Sequence, residues 1–287
     1  MQALLDIFNI LLINPILNIL VAIYHVLIMM HIPSALGFSI ILLTVVIRLI
    51  LFPLMHHSLK QQKKMQVLAP HLNKLKEKHK GDAQRMQSEQ MALYKEHGVN
   101  PASGCLPILI QFPILIALYQ VLLGSVCLSA QNAKSLCLPT INSINDRLYF
   151  EGLKLHHLWD TTFFGLSLGD TPKDLFSHVG VAIILVAVLT AVLQLIQSRM
   201  MIPSTAGMPK KDTKDDKPDF AATFQSQSMY LLPLMIGYFS FTLPFGLSLY
   251  WNTLTIFGII QQYIAAGWGG LADWFPFLKP KEESKYK

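Results

Sequence analysis

Residues 36–57 read LGFSIILLTVVIRLILFPLMHH, and this stretch decides the fold class. An α-helix of this length rises roughly 32 Å, enough to cross the ~30 Å hydrocarbon core of a bilayer. Its only charged side chain is Arg48, and Pro53 near its end is predicted to bend the helix. The stretch is therefore predicted to be a transmembrane helix that carries a single positive charge.

The same pattern continues through the rest of the chain. Of the 287 residues, 52% are hydrophobic and only 14% are charged, against about 25% charged residues in a typical soluble domain. No Asp, Glu, Lys or Arg lies within 97–133, 175–198 or 220–272. Windows of this kind are typical of transmembrane helices. The sequence predicts an all-α polytopic membrane protein with five core spans.

The predicted organisation follows from where the polar and apolar stretches alternate. In chain order, the segments are an N-terminal interfacial amphipathic helix (1–34), a first span (35–58), a cytoplasmic helical hairpin (59–100), a second span (101–126), an extracytoplasmic loop (127–175), a third span (176–198), a cytoplasmic loop (199–227), a fourth span (228–244), a fifth span (246–268) and a cytoplasmic tail (269–287).

The N-terminal segment 13–31 allows two interpretations. Asn14, Asn18 and His25 fall within about 40° of one another on a helical wheel, and they form a narrow polar stripe on an apolar helix. A helix of this kind fits either the membrane interface or a sixth span. The interfacial position is favoured.

The polar region 58–100 predicts two antiparallel amphipathic helices. Gly81 and Asp82 are predicted to cap them at a tight turn. Each helix carries a narrow stripe spaced 3-4-3, as in a coiled-coil seam. The stripe residues are Met65, Leu68, Leu72 and Leu75 in the first helix, and Ala83, Met86, Gln90 and Leu93 in the second.

The distribution of Lys and Arg predicts the orientation, because these residues favour cytoplasmic loops. The hairpin carries nine, the 199–227 loop five and the tail four. The 127–175 loop is about as long as the hairpin but carries only four. The hairpin, second loop and tail are therefore expected in the cytoplasm, and the 127–175 loop outside. The N-terminus is expected outside if segment 13–31 is interfacial.

Arg48 is the main candidate functional residue. It precedes His56, at the cytoplasmic end, by eight residues or roughly 12 Å of helix. No Asp or Glu lies in any predicted span, so water, lipid phosphate, backbone carbonyls or a partner's carboxylate must meet its charge. Charges within membranes are functional by default, which predicts a water-filled cavity. The side chains that are candidates to line it are Thr44, Gln111, Gln194, Gln197, Tyr250, Trp251, Asn252 and Thr255.

Each of these polar residues also has an ordinary interpretation. Thr and Gln often form hydrogen bonds between membrane helices, and Tyr and Trp often mark the interface. No nucleophile elbow, phosphate loop, zinc motif or paired membrane carboxylate occurs, so no enzyme, metal or cofactor is expected. Cys127 and Cys137 both fall in the outer loop, where a disulfide and two free thiols are both open.

Three runs of sequence resemble the YidC-type membrane protein insertases, relatives of the mitochondrial Oxa and chloroplast Albino proteins. The runs are GFSIILLTVVIRLILFPL (37–54), MALYKEHGVNPASGCLPILIQFPILIALY (91–119) and LPFGLSLYWNTLTIFGIIQQ (243–262). The resemblance covers most of the chain, from about Asn14 to the last span. The chain departs from Gram-negative members in lacking a large periplasmic domain.

The resemblance implies a bacterial membrane protein insertase and chaperone. Five helices would enclose a hydrophilic groove that is open to the cytoplasm and closed to the outside. Arg48 would be the groove arginine with Thr44 close by, Trp251 would face the substrate, and Gln197 matches a groove position more weakly. The hairpin would be a mobile lid.

Expected partners are nascent single-span proteins with acidic translocated segments, the ribosome, the signal recognition machinery, the Sec translocon and the lipid bilayer, with no specific nucleic acid. The main alternative is a channel or transporter with Arg48 lining a permeation path, and a purely structural assembly subunit is a third interpretation.

Overall fold

A computed structural model describes residues 2–79, 82–100, 106–125, 141–157, 159–202 and 220–278. The predicted Gly81 cap and the Cys127–Cys137 pair lie outside these residues, as do 203–219 and 279–287. The helices are α1 (Gln2–Phe8), α2 (Asn14–Met29), α3 (Ala35–Ile50), α4 (Phe52–Lys78), α5 (Ala83–Glu96), α6 (Leu106–Ser125), α7 (Ile141–Asn145), α8 (Pro172–Val179), α9 (Ile184–Met200), α10 (Phe220–Thr242), α11 (Phe245–Ala266) and α12 (Leu271–Trp274). A π-helical turn (Asn9–Ile13) joins α1 to α2, and 3₁₀ turns cover Glu151–Leu153, Gly180–Ile183 and Pro276–Leu278.

The described residues are mostly helical, as the sequence predicts. The exception is an antiparallel pair of two-residue strands, β1 (Thr162–Phe163) and β2 (Leu166–Ser167), in which Thr162 faces Ser167. They lie in segment 141–171, termed the outer segment because it is predicted to lie outside. The five predicted core spans overlap α3, α6, α9, α10 and α11, respectively, with different bounds.

Two helical stretches are long and apolar enough to cross a membrane by length and composition, Leu5–Met29 and Pro172–Met200. A broken pair, Ala35–Ile50 with Phe52–Leu68, would make a third. Leu109–Leu123 and Met229–Thr242 are shorter apolar helices. By length and composition, these helices agree with the predicted all-α membrane protein.

The first core helix ends earlier than the predicted boundary at residue 58. The apolar helix α3 stops at Ile50, and Leu51 is the N-cap of the next helix. Pro53 explains the position, because proline lacks an N–H and its ring clashes with the carbonyl four residues earlier. Proline is tolerated in the first turn of a helix, where it stands in α4. The residues around His56 therefore belong to the hairpin helix.

The chain forms two compact units. The first comprises Met1–Ile50, Ile108–Leu193 and Pro233–Phe257. Its core is one continuous apolar cluster in which Leu20 of α2, Leu36 and Ile40 of α3 and Leu118 of α6 are fully buried. Side chains of this size each contribute about 1.5–3 kcal/mol when they leave water; within a bilayer, close packing takes over that role.

Close packing is visible where α9 meets α10. A Cβ atom added to Gly237 would lie 2.8 Å from the Cβ of Ala191 and 3.3 Å from the carbonyl oxygen of Ala187. Small residues at such a crossing let two membrane helices approach closely. The apolar residues that α9 and α10 turn away from this contact are exposed, as lipid-facing residues are: they include Leu185, Val188, Leu234 and Tyr238.

The outer segment 141–171 is fastened to the N-terminal helix by polar side chains of α2. The amide of Asn18 is buried, donates to the Arg147 carbonyl (2.9 Å) and accepts from the Tyr149 N–H (2.8 Å). Further along α2, the Nε2 atom of His25 lies 3.0 Å from the Leu153 carbonyl oxygen. The predicted polar stripe of α2 therefore contacts protein.

The same outer segment also holds the start of α11. The N–H groups of Phe245 and Gly246 donate to the carbonyls of Asp170 and Leu168, each at 2.8 Å. These are backbone groups at the N-terminus of a helix, which have no partner within the helix itself. The outer segment thus caps α11 at the Pro244–Gly246 turn.

The second unit comprises Leu51–Pro107, Gln194–Leu232 and Gly258–Lys287, and it contains the hairpin. Asp82 caps α5 by accepting from the Arg85 N–H at 3.0 Å, as predicted. Leu68, Tyr94 and Val99 form a small core against which Met65 and Leu72 pack. The stripe of the first helix is confirmed at these three positions, Met65, Leu68 and Leu72.

The stripe of the second helix differs from the prediction by one position. Tyr94 is buried and Leu93 is only half-buried. The Tyr94 hydroxyl accepts a hydrogen bond from Gln90 one turn earlier, at 3.1 Å. A buried tyrosine normally satisfies its hydroxyl, so this bond lets the larger aromatic ring take the core position.

Candidate functional site

Arg48 lies near the end of α3 and is only 9% exposed. Its Nη2 atom donates to the Leu254 carbonyl of α11 at 3.3 Å. A backbone carbonyl is one of the groups predicted from the sequence to meet this charge. A carbonyl has two lone pairs, so Leu254 can also serve its own helix. Because a carbonyl is a neutral dipole, this hydrogen bond does not neutralise the positive charge.

Tyr250 and Gln111 complete a polar cluster with Arg48. The Gln111 amide of α6 donates to the Tyr250 hydroxyl of α11, with Nε2 and the hydroxyl oxygen 2.5 Å apart. Tyr250 is 1% exposed and lies within electrostatic range of Arg48. Three helices therefore bring Arg48, Gln111 and Tyr250 together, although Gln111 and Tyr250 are 139 positions apart in the sequence.

Thr44 stands one turn before Arg48 on the same helix. Its hydroxyl donates to the Ile40 carbonyl at 2.6 Å, and the side chain is 1% exposed. Ser and Thr often bond back to the carbonyl four residues earlier in membrane helices. Thr44 thus keeps a hydroxyl beside the cluster, with its proton donated within its own helix.

The remaining candidates of α11 are differently placed. Trp251 and Asn252 are half-buried, and Thr255 is buried with its hydroxyl donating to the Trp251 carbonyl at 2.8 Å. The Oδ1 atom of Asn252 is buried, and none of the described residues donates a hydrogen bond to it. Trp251 follows Tyr250 directly in α11 and is more exposed than Tyr250.

Gln194 and Gln197 lie on α9 in the second compact unit, where both are half-buried. The residues around Arg48 belong to the first unit. The structure accordingly groups Arg48, Tyr250, Gln111, Thr44 and Trp251 within one unit and places the two glutamines in the other.

Sequence reasoning missed a second polar cluster in the first unit. Thr190 of α9, Ser240 of α10 and Ser248 of α11 form a buried chain of hydroxyls, with oxygen–oxygen distances of 3.0 and 2.9 Å. No sequence pattern marks this cluster, because each of the three apolar helices contributes only one of its hydroxyl groups. Such contacts contribute roughly 0.6 kcal/mol each in membrane proteins.

Comparisons with known proteins cover most of the chain. A family model described as 60Kd inner membrane protein matches residues 27–268.

Three curated relatives carry the name membrane protein insertase YidC. The one from Streptomyces avermitilis is 33% identical over 229 residues, which are 79% of this chain and 50% of the relative. The one from Campylobacter jejuni is 30% identical over 228 residues, 79% of this chain and 33% of the relative. The one from Fusobacterium nucleatum is 31% identical over 227 residues, 79% of this chain and 84% of the relative. The chain spans between a third and a half of the length of the first two relatives and most of the third.

Proposed function

The chain belongs to the 60Kd inner membrane protein family, and from this premise we propose that it is a membrane protein insertase that also assists the folding of its clients. The predicted resemblance is thereby confirmed, and the family together with the apolar helices makes the chain a bacterial inner-membrane protein. The observation that carries the proposal is the buried Arg48 beside Tyr250 and Gln111. A cation costs at least ~2.5–3.5 kcal/mol at the centre of a membrane helix, so its presence calls for a function.

The proposed mechanism uses this charge to lower a barrier for a client protein. A single-span client must move a short polar, often acidic segment across the hydrocarbon. Arg48 attracts that segment electrostatically from a hydrophilic groove that reaches partway into the bilayer and is open to the cytoplasm. Thr44, Gln111, Tyr250 and Trp251 line the groove beside it.

The client then leaves the groove sideways. Its apolar helix moves into lipid, where about 20 apolar residues are favourably buried. This step supplies the free energy, so no nucleotide is hydrolysed. The basic hairpin, α4 with α5, acts as a mobile cytoplasmic lid. It faces the side from which the ribosome, the signal recognition machinery and the Sec translocon would deliver clients.

The proposed topology places α2 in the outer interface, although Leu5–Met29 is long enough to span. The outer segment follows α2 from the Asn18 contact to the His25 contact, seven residues or roughly 10 Å of helix. If α2 crossed the bilayer, Arg147 and the exposed Glu151–Lys154 ion pair would be carried into the hydrocarbon. Irregular backbone and charged side chains are both strongly unfavourable against lipid. An interfacial α2 leaves the N-terminus and the outer segment outside.

The topology can be tested with a thiol reagent that does not cross membranes. In a background without the native cysteines, Gln2→Cys should be labelled from outside, as should Ser177→Cys in α8. Ser88→Cys in the hairpin should react only after permeabilisation. If Gln2→Cys behaved like Ser88→Cys, α2 would cross the bilayer, and the interfacial position would be wrong.

The function itself can be tested by photocrosslinking. A photoreactive phenylalanine analogue at Trp251 should crosslink a ribosome-bound single-span client during insertion. The same analogue at Tyr238, an exposed aromatic position on α10, is the matched control and should capture mainly lipid. Thr44 is too deeply buried to be a useful crosslinking position. Equal client capture at both positions, or ion flux through purified protein with no client capture, would overturn the proposal; the second result would favour a permeation path.

A further inference from the structure

A cleft of about 310 Å³ opens in the first unit where the outer end of α6 meets the start of α2 and α7. Its floor is apolar and consists of the buried side chains of Ile13, Leu17, Val121 and Ile144. Its rim is polar and includes Gln120, Ser143 and Arg147. The cleft therefore has the two-sided chemistry of an amphiphilic ligand.

The arginine at the rim is held in place through its backbone. The Arg147 carbonyl accepts from the buried Asn18 amide at 2.9 Å, and its N–H donates to the Ile144 carbonyl at 3.0 Å. Among the residues that the structure describes, its guanidinium has no hydrogen-bond or ion-pair partner. A fixed backbone with an uncommitted guanidinium is suited to bind an external anion, because arginine pairs with phosphate through two parallel hydrogen bonds.

The position of the cleft in the membrane selects the anion. The 20 residues of α6 rise about 30 Å, the thickness of the hydrocarbon core. Gln120 and Leu123 stand five and two residues before the end of this helix at Ser125, within about 8 Å of it. The rim of the cleft therefore lies near the outer boundary of the hydrocarbon core, next to the headgroups of the outer leaflet, and the floor faces the acyl chains.

We propose that this cleft is a binding site for an anionic phospholipid of the outer leaflet. The Arg147 guanidinium pairs with the headgroup phosphate, and Gln120 and Ser143 lie beside the polar part of the headgroup. Ile13, Leu17 and Val121 contact the upper part of one acyl chain. The volume is at the lower end of the range for small-molecule pockets, so most of the lipid remains in the bilayer. The proposal rests on the outward placement of the outer segment and not on insertase activity.

Native mass spectrometry of the full-length protein tests the site. Purified protein in detergent, with equal amounts of phosphatidylglycerol and phosphatidylcholine added, should retain one phosphatidylglycerol preferentially. Arg147→Gln should lower that occupancy at least fivefold, and Arg147→Lys should restore part of it. Lys154→Gln, which removes another cation of the outer segment, is the matched control and should retain the lipid. If Arg147→Gln kept the wild-type occupancy, the site would be wrong.

Two further experiments test the acyl-chain contact and the headgroup contact separately. Val121→Phe narrows the apolar floor and should also lower retention, whereas unchanged retention would exclude the acyl contact. An excess of glycerol 3-phosphate should not displace the lipid; displacement would show that the headgroup binds without the floor. Because retention is measured without a client, loss of the lipid in Arg147→Gln is distinguishable from loss of insertion.

Discussion

Arg48 and Arg199 are both arginines near the ends of apolar helices, one in each compact unit, and their surroundings differ. Arg199 ends α9 with its Nη2 atom 3.2 Å from the Asp273 carboxylate, and both side chains are 12% exposed. Its guanidinium carbon also lies 5.2 Å from the centre of the Trp274 ring. No Asp or Glu occurs in the sequence of α3, α6, α9, α10 or α11. Arg48 donates a hydrogen bond to the main-chain carbonyl of Leu254.

The difference indicates the role of each arginine in the protein. Asp273 neutralises Arg199, and the ion pair ties the C-terminal residues to the end of α9, where the Gly270 N–H also donates to the Ile202 carbonyl at 2.8 Å. The Leu254 carbonyl positions the Arg48 guanidinium, and this hydrogen bond does not cancel its charge. The Arg199 arrangement is structural. The Arg48 arrangement is the one on which the proposed function rests.

The largest expected effect is on stability in the second unit. Arg199→Met leaves the Asp273 carboxylate without its cation, and breaking a nearly buried ion pair from one side should cost about 3 kcal/mol. Thermal unfolding of the purified protein in detergent measures the loss. The double variant Arg199→Met with Asp273→Leu should recover much of it, because no charge then remains buried. An unchanged midpoint in Arg199→Met would show that the pair contributes nothing.

The next effect concerns insertion and not stability. Arg48→Ala should slow insertion of a client with an acidic translocated segment about tenfold, the equivalent of 1.4 kcal/mol. Two charges about 4 Å apart at an effective dielectric of about 20 interact by roughly 4 kcal/mol, so a tenfold effect requires only part of that interaction. Proteoliposomes loaded with each variant and a radiolabelled client provide the measurement.

Two controls make the Arg48 result specific. Arg48→Lys keeps the charge and should retain most of the insertion activity, and a client without acidic residues should be affected less by Arg48→Ala. In contrast to Arg199→Met, Arg48→Met should unfold at or above the wild-type temperature, because an apolar side chain replaces a buried charge. Wild-type insertion of the acidic client by Arg48→Ala would contradict the charge mechanism.

The smallest effect is expected at Tyr250. Tyr250→Phe removes the hydroxyl that accepts from Gln111, and one half-buried amide then loses its partner at a cost of about 1 kcal/mol. Insertion by this variant should fall no more than about threefold, since the charge of Arg48 is kept. The double variant Tyr250→Phe with Gln111→Leu should be closer to wild type in thermal stability. If Tyr250→Phe abolished insertion, Tyr250 and not Arg48 would be the central group.

Much of the helical layout was predictable, because hydrophobic runs and charge gaps depend only on local sequence. The bend predicted at Pro53 is present as a break between α3 and α4, but an apolar window could not show that α3 already ends at Ile50. Tyr94 was missed as a core residue for a similar reason, since its burial depends on a hydroxyl partner. The Arg199–Asp273 pair joins residues 74 positions apart, beyond the reach of spacing arguments.

The sequence by itself determined that this is a helical membrane protein, that Arg48 stands inside an apolar helix, and which family the chain resembles. These features depend on composition and short motifs, which are visible without coordinates. Only the tertiary structure decided that Arg48, Tyr250 and Gln111 meet, that the Leu254 carbonyl receives the guanidinium, and that Asn18 holds the outer segment along α2. The physical reason is that these contacts join helices distant in the chain, and their partners include main-chain atoms that every residue has and that no sequence pattern distinguishes.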